Sequence, residues 1–214
     1  MADRGPVAVT SVVTSTSIST SSAEATEALG RRLAGVLRAG DLIVLSGDLG
    51  AGKTTLTRGL GAGLGVRGPV TSPTFVIVRE HPSTSGGPAL VHVDAYRLGG
   101  VAELEDLDLQ TSLDAAVTVV EWGEGLAEAL AADRLEARLS RPRGGAGVGG
   151  VDDVGEGGDV DEVGGVDDAG EGGDVDYVGE GPERRSVQLR GIGERWRGVD
   201  LAALVTLPTV VPSG

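Results

Sequence analysis

Apolar positions along this chain fall into short runs separated by helix-period stretches, the alternation expected of an α/β fold. Leu42–Ser46, Ala89–Asp94 and Ala116–Glu121 are brief, largely apolar and rich in β-branched residues, as strands buried on both faces are. Ser21 and Glu24 have the spacing of a capping box, and Leu29, Leu33, Val36 and Leu37 then recur at helical spacing up to Gly40. A Gly-rich turn after Ser46 leads into a second helix that runs to about Leu64. Beyond Gly68-Pro69 the period shifts to that of strands. Thr74–Glu80 and Ala89–Asp94, joined by a Pro/Ser/Gly loop, predict a hairpin. Val7–Val13 reads as an edge strand, and Thr14–Ser22 as a Ser/Thr run leading into the first helix. Val101–Leu109 and Gly125–Ala132 read as short helices and Leu135–Leu139 and Ser186–Arg190 as strands, with Asp200–Val205 closing the ordered part.

Charge divides the chain unevenly. Of 32 acidic residues, 12 lie between Gly144 and Gly181 with no basic residue among them, and the remainder of the chain is nearly neutral. Gly149–Val163 and Gly164–Val178 are tandem copies that differ only at Val154/Ala169 and Glu162/Tyr177. Glycine and acids without large apolar residues cannot offset their ordering entropy, so this stretch predicts a disordered spacer. An EF-hand reading fails because Val163 stands where an oxygen ligand belongs. The expected organisation is one domain begun by residues 1–143, the insert at 144–183, and a strand and helix in 184–214 that complete the domain. With a net charge of -14 there is no cation surplus to neutralise nucleic-acid phosphates. The absence of cysteine excludes disulfides and thiolate metal sites. No apolar run approaches the ~18 residues of a membrane span, and no signal peptide opens the chain, so a cytoplasmic protein is expected.

The candidate chemistry begins with one lysine. All other basic residues are arginines, 17 of them, and Lys53 lies in Gly47-Asp48-Leu49-Gly50-Ala51-Gly52-Lys53-Thr54. This is the full G-x-x-x-x-G-K-[ST] pattern, with a strand before it and a helix after it. Its glycines let successive N–H groups curl around phosphates, Lys53 offers a compact cation, and Thr54 offers a hydroxyl to Mg²⁺. Such a site also needs a carboxylate at a neighbouring strand end, and Asp94 and Glu121 both qualify. His92 is more simply a structural histidine, while Phe75, Tyr96 and Trp122, beside the site, read equally as core aromatics or as residues that shape the nucleotide site or a partner surface. Elements and motif together predict an α/β fold of P-loop NTPase type. Its central sheet is mixed, mostly parallel with a C-terminal antiparallel part, and flanked by helices.

GDLGAGKTT at Gly47–Thr55, SPTF at Ser72–Phe75, HVDAYRL at His92–Leu98, the acidic Glu103–Leu109 stretch and Glu121-Trp122 together resemble the TsaE/YjeE family. That family comprises the small P-loop ATPases of bacterial tRNA threonylcarbamoyladenosine biosynthesis. The resemblance implies ATP and Mg²⁺ as cofactors and TsaB and TsaD homologues as partners, with tRNA contacted indirectly. It implies Thr54 and Glu121 as metal ligands and Asp48, Leu49, Gly50, Ala51, Gly52, Lys53, Thr54 and Thr55 as the phosphate cradle. Asp94 is implied in hydrolysis, Ser72 and Thr74 in a γ-phosphate loop, Thr26 near the base, and Trp122 beside the metal-binding acid. Lys53, Asp94 and Glu121 would then carry catalysis. The acidic insert departs from the compact family pattern. A small-molecule P-loop kinase and a non-catalytic nucleotide-dependent scaffold are the alternatives from other classes.

Overall fold

The computed structural model describes residues 11–73, 77–107, 109, 113–141 and 184–205. The acidic repeats, Thr74, Phe75 and the tail after residue 205 lie outside the described residues. Seven strands form one sheet: β1 Val12–Thr20, β2 Leu42–Ser46, β3 Val78–His81, β4 Ala89–Asp94, β5 Ala116–Glu121, β6 Arg134–Ser140 and β7 Arg185–Ile192. Among the described residues α-helices lie at α1 Ala23–Ala34, α2 Lys53–Leu64 and α3 Val101–Glu105. The strand order is β1-β7-β6-β2-β5-β4-β3. β6, β2, β5 and β4 run parallel at the centre, while β3 pairs antiparallel with β4, and β7 with both β6 and β1. The sheet is therefore mixed as expected, with antiparallel pairing at the β3 edge as well as at the C-terminal end.

β2, β4 and β5 bury both faces, whereas β6 buries one. Ile43, Leu45, Leu90, Val117 and Val119 pack with Leu29 and Leu33 of α1 and with Leu56 and Leu60 of α2. On the other face Leu42, Val44, Val91, Val93 and Val120 pack with Leu104 and Ala127. The helices α1 and α2 meet so closely that a Cβ at Gly59 would lie 2.0 Å from the Glu27 carbonyl oxygen. At the far end Arg195 forks onto both Asp41 carboxylate oxygens at 2.7 Å, tying the segment after β7 to the start of β2.

Four expectations are corrected. The Ser/Thr run from Thr14 is itself most of β1, because Ile18 and Thr20 turn inward while Ser15, Ser17 and Ser19 stay exposed. The cap of α1 is Ser22 rather than Ser21, its hydroxyl accepting from Ala25 N at 3.1 Å. That helix stops at Gly35 rather than near Gly40, where Val36 and Leu37 continue in tighter turns bonded to Leu33 and Ala34. Gly125–Ala132 shrinks to a single 3₁₀ turn, Ala127–Ala129. Among the described residues no helix is long and apolar enough to cross a membrane.

Candidate functional site

The turn after β2 reverses the chain into α2 at the point where β2 is flanked by β5 on one side and β6 on the other. In open parallel sheets such positions at the carboxyl ends of strands form the ligand crevice. Two glycines are required to build the turn. Gly47 has φ 132°, and a Cβ there would stand 2.0 Å from the Leu139 carbonyl oxygen. Gly52 has φ 106° and caps α2 from the left-handed region, with Arg185 3.1 Å from where its Cβ would be. The result is a loop whose backbone N–H groups and helix N-terminus suit an anion.

Lys53 opens α2 and folds back over the loop, its Nζ donating to Gly47 O at 2.7 Å and Asp48 O at 3.0 Å. The same ammonium lies 3.5 Å from the centre of the Trp122 ring. Burial pushes the Lys53 ammonium below its ordinary pKa, and the charges of Glu121, Asp94 and Asp48 act in the opposite direction. Trp122 holds the left-handed backbone at φ 61°, which costs a bulky residue about 1–2 kcal/mol. That turn keeps Trp122 N bonded to Leu45 O at 2.9 Å while the ring swings against Tyr96.

Both strand-end acids line the cavity beside the loop. Glu121, at the end of β5 and 2% exposed, accepts from the Thr54 hydroxyl at 3.0 Å through Oε2. Its Oε1 lies 2.8 Å from His92 Nε2, and the Thr57 hydroxyl is shared between that oxygen at 3.3 Å and Lys53 O at 3.0 Å. Asp94, the corresponding end of β4, pairs in register with Glu121. It accepts from the Ser72 hydroxyl at 2.9 Å and from Tyr96 N at 3.1 Å. A hydroxyl and a carboxylate meeting at Thr54 and Glu121 are the hard oxygen ligands Mg²⁺ takes when phosphates and waters complete its octahedron. The donor set therefore fits that ion.

These groups open onto a cavity of about 430 Å³, within the usual range for small-molecule sites. Leu49, Gly50, Gly52, Lys53, Thr54 and Thr55 line it with Ser72, Asp94, Glu121 and Trp122, so most of the expected site converges. Asp48 contributes its carbonyl to Lys53, and Ala51 packs its methyl into the core. Thr26 does not line the cavity; it is wholly buried, with its hydroxyl 2.8 Å from that of Thr20 and donating to Ser22 O at 3.0 Å. Sequence reasoning missed Arg141 and Arg185, which flank the insert in the chain and line the cavity with Arg97. Their only sequence signal was adjacency to the ends of β6 and β7. Arg79, on β3, does not line the cavity and donates to Thr71 Oγ1 at 3.1 Å. Lys53 and three arginines against two carboxylates make a wall suited to a polyanion.

Comparison with known proteins identifies the family. Residues 20–145 match the family described as threonylcarbamoyl adenosine biosynthesis protein TsaE. The tRNA threonylcarbamoyladenosine biosynthesis protein TsaE of Streptomyces coelicolor is 54% identical over 177 residues, covering 82% of this chain and 97% of that protein. Its namesake in Mycobacterium tuberculosis H37Rv is 54% identical over 55% of this chain and 74% of its own. Among solved structures, the crystal structure of YdiB from Bacillus subtilis superposes with a TM-score of 0.57 at 25% identity, covering 92% of this chain and 97% of that one. The chain belongs to the TsaE family, whose members take part in tRNA threonylcarbamoyladenosine biosynthesis.

Proposed function

We propose that this protein is the ATP-binding and ATP-hydrolysing component of the threonylcarbamoyladenosine machinery, and that its ATP cycle supports turnover of a complex of TsaB and TsaD homologues. The observation that carries the reading is the meeting of Thr54 and Glu121 at 3.0 Å beside a lysine-bearing phosphate loop. Thr54 and Glu121 would hold Mg²⁺, which when bound neutralises charge on the outer phosphate oxygens. Lys53 exchanges its two loop carbonyls for phosphate oxygens. The loop N–H groups from Asp48 to Thr55 cradle the phosphates. Asp94, held by Ser72 and Tyr96 N, faces the same cavity and orients the attacking water. Phosphoryl transfer asks mainly for positioning and charge stabilisation, and these residues supply both. Partners in the cytoplasm contact the tRNA, since this chain has no cation surplus to do so.

The test is ATP hydrolysis by the purified protein, alone and with TsaB and TsaD, beside Lys53→Ala and Glu121→Ala. Slow intrinsic turnover, faster with partners and lost in both variants, is expected. Tight ATP binding with no turnover in any mixture would overturn hydrolysis and leave a nucleotide-dependent scaffold.

A further inference from the structure

Within the site one buried side chain has no part in the phosphate-loop pattern. His92 is fully buried in β4, two residues before Asp94, on the sheet face that meets α2. Its register partner on β5 is Val119, so Glu121 is its diagonal neighbour on the same face. Only a long side chain spans that diagonal. His92 Nε2 reaches Glu121 Oε1 at 2.8 Å. A carboxylate offers acceptors only, so Nε2 carries the proton. The other ring nitrogen, Nδ1, is buried with no hydrogen-bond partner among the described residues.

That uneven satisfaction is informative. As a packing residue an imidazole is a poor choice here, because a leucine would fill the space without a stranded polar atom. Leu90 and Val119 next to it are of that apolar kind. What the imidazole does that leucine cannot is fix Oε1. A glutamate carboxylate otherwise turns broadly about its last torsion. With Oε1 occupied by His92 and Thr57, Oε2 is the oxygen presented to Thr54.

We infer that His92 is a positioning residue for Glu121, holding Oε1 from the neighbouring strand so that Oε2 is set as the metal-facing oxygen. The inference rests on the nucleotide reading above and adds a role for a residue outside the loop and both strand-end acids. Groups of this kind behind a metal ligand typically change metal affinity about 10–100-fold when removed.

The test compares ADP binding by calorimetry in EDTA and in Mg²⁺ for the wild type, His92→Leu, His92→Asn and His92→Gln, with a thermal melt of each. The wild type is expected to bind ADP more tightly with Mg²⁺ than in EDTA. His92→Leu and His92→Asn, whose shorter amide falls short of Oε1, should lose about 10-fold or more of that Mg²⁺-dependent gain while binding ADP in EDTA as the wild type does. His92→Gln, whose amide N–H reaches as far as Nε2, should recover most of it. Full Mg²⁺ dependence in His92→Asn or His92→Leu overturns the inference, as does equal loss of binding in EDTA by all three variants, which marks a scaffold residue. A wild type that binds no ADP overturns the nucleotide reading and this inference with it, whereas one that binds ADP equally with and without Mg²⁺ overturns this inference alone.

Discussion

The contact between α1 and α2 gives the sharpest stability prediction, because α2 carries Lys53 and Thr54 at its first turn. In Gly59→Ala two effects oppose each other. Alanine is the better helix former by about 1 kcal/mol. Its methyl would lie 2.0 Å from Glu27 O and 3.0 Å from Gly30 Cα. Both obstacles are backbone, so no side chain can rotate away, and the shortfall from ordinary contact is ~1.4 Å. Overpacking of this sort costs about 1–3 kcal/mol, and backbone obstruction puts it at the upper end. The net expectation is a loss of about 2 kcal/mol, or roughly 4–8 °C in Tm for a domain of this size. Urea and thermal melts measure it, with Gly35→Ala as the control. Gly35 is right-handed at φ -66°, and its added methyl meets only Arg32 O at 3.2 Å, so that variant should be near neutral. Since α2 must retreat from α1 in Gly59→Ala, the folded fraction should also bind ADP more weakly. A Gly59→Ala protein as stable as the wild type would refute the close-contact argument.

Asp41→Ala strips the partner from Arg195 in a pair whose side chains are 12% and 3% exposed, and should cost about 3–5 kcal/mol in a denaturant melt; a loss under ~1 kcal/mol would show the pair to be dispensable. Trp122→Gly and Trp122→Ala both remove the ring from Lys53, but only glycine relieves the backbone at φ 61°, so the glycine variant should be the more stable of the two by about 1 kcal/mol; the reverse order would remove the strain from the account. Because Lys53 titrates below its ordinary value when folded, the unfolded chain holds that proton more tightly between the lowered value and the ordinary ~10.4. Unfolding free energy should therefore rise with pH across that window, and Lys53→Met should flatten the rise relative to wild type in melts taken from neutral to alkaline pH.

The strands that sequence placed to the residue, Leu42–Ser46, Ala89–Asp94 and Ala116–Glu121, are those buried on both faces, where an apolar run ends abruptly at a turn or an acid. The edge strand β1 was displaced because it has one inner face, and Ser and Thr there blur the contrast between inward and outward positions. The end of α1 was overrun for a related reason: Val36 and Leu37 pack against the same core after the helix has stopped, and spacing alone does not separate an α-turn from a 3₁₀ turn. The phosphate loop and both acids were legible because their chemistry demands fixed residue types at strand ends. A resemblance carries the position of Thr26 without the direction of its hydroxyl, which here turns to Thr20 and Ser22.

What no linear pattern contained is the register between β4 and β5, and the register makes the site. Pairing Asp94 with Glu121 sets the two acids side by side at one sheet edge. Had β4 slipped by one residue, every side chain would have changed face, and His92 and Asp94 would both have left the α2 side. The same slip would bury Val91 and Val93 against α2 and expose the apolar layer that packs on Leu104. The apolar alternation of β4 therefore enforces the position of its two polar residues. Val91 and Val93 are locked inward on one face, so His92 and Asp94 are delivered to the other, 2.8 Å from Glu121 in one case and beside the cavity in the other. Core packing and site geometry are one constraint in this strand. A substitution such as Val93→Ser, on the sheet face away from the cavity, should then weaken ADP binding through the register as well as lower the melting temperature through the core.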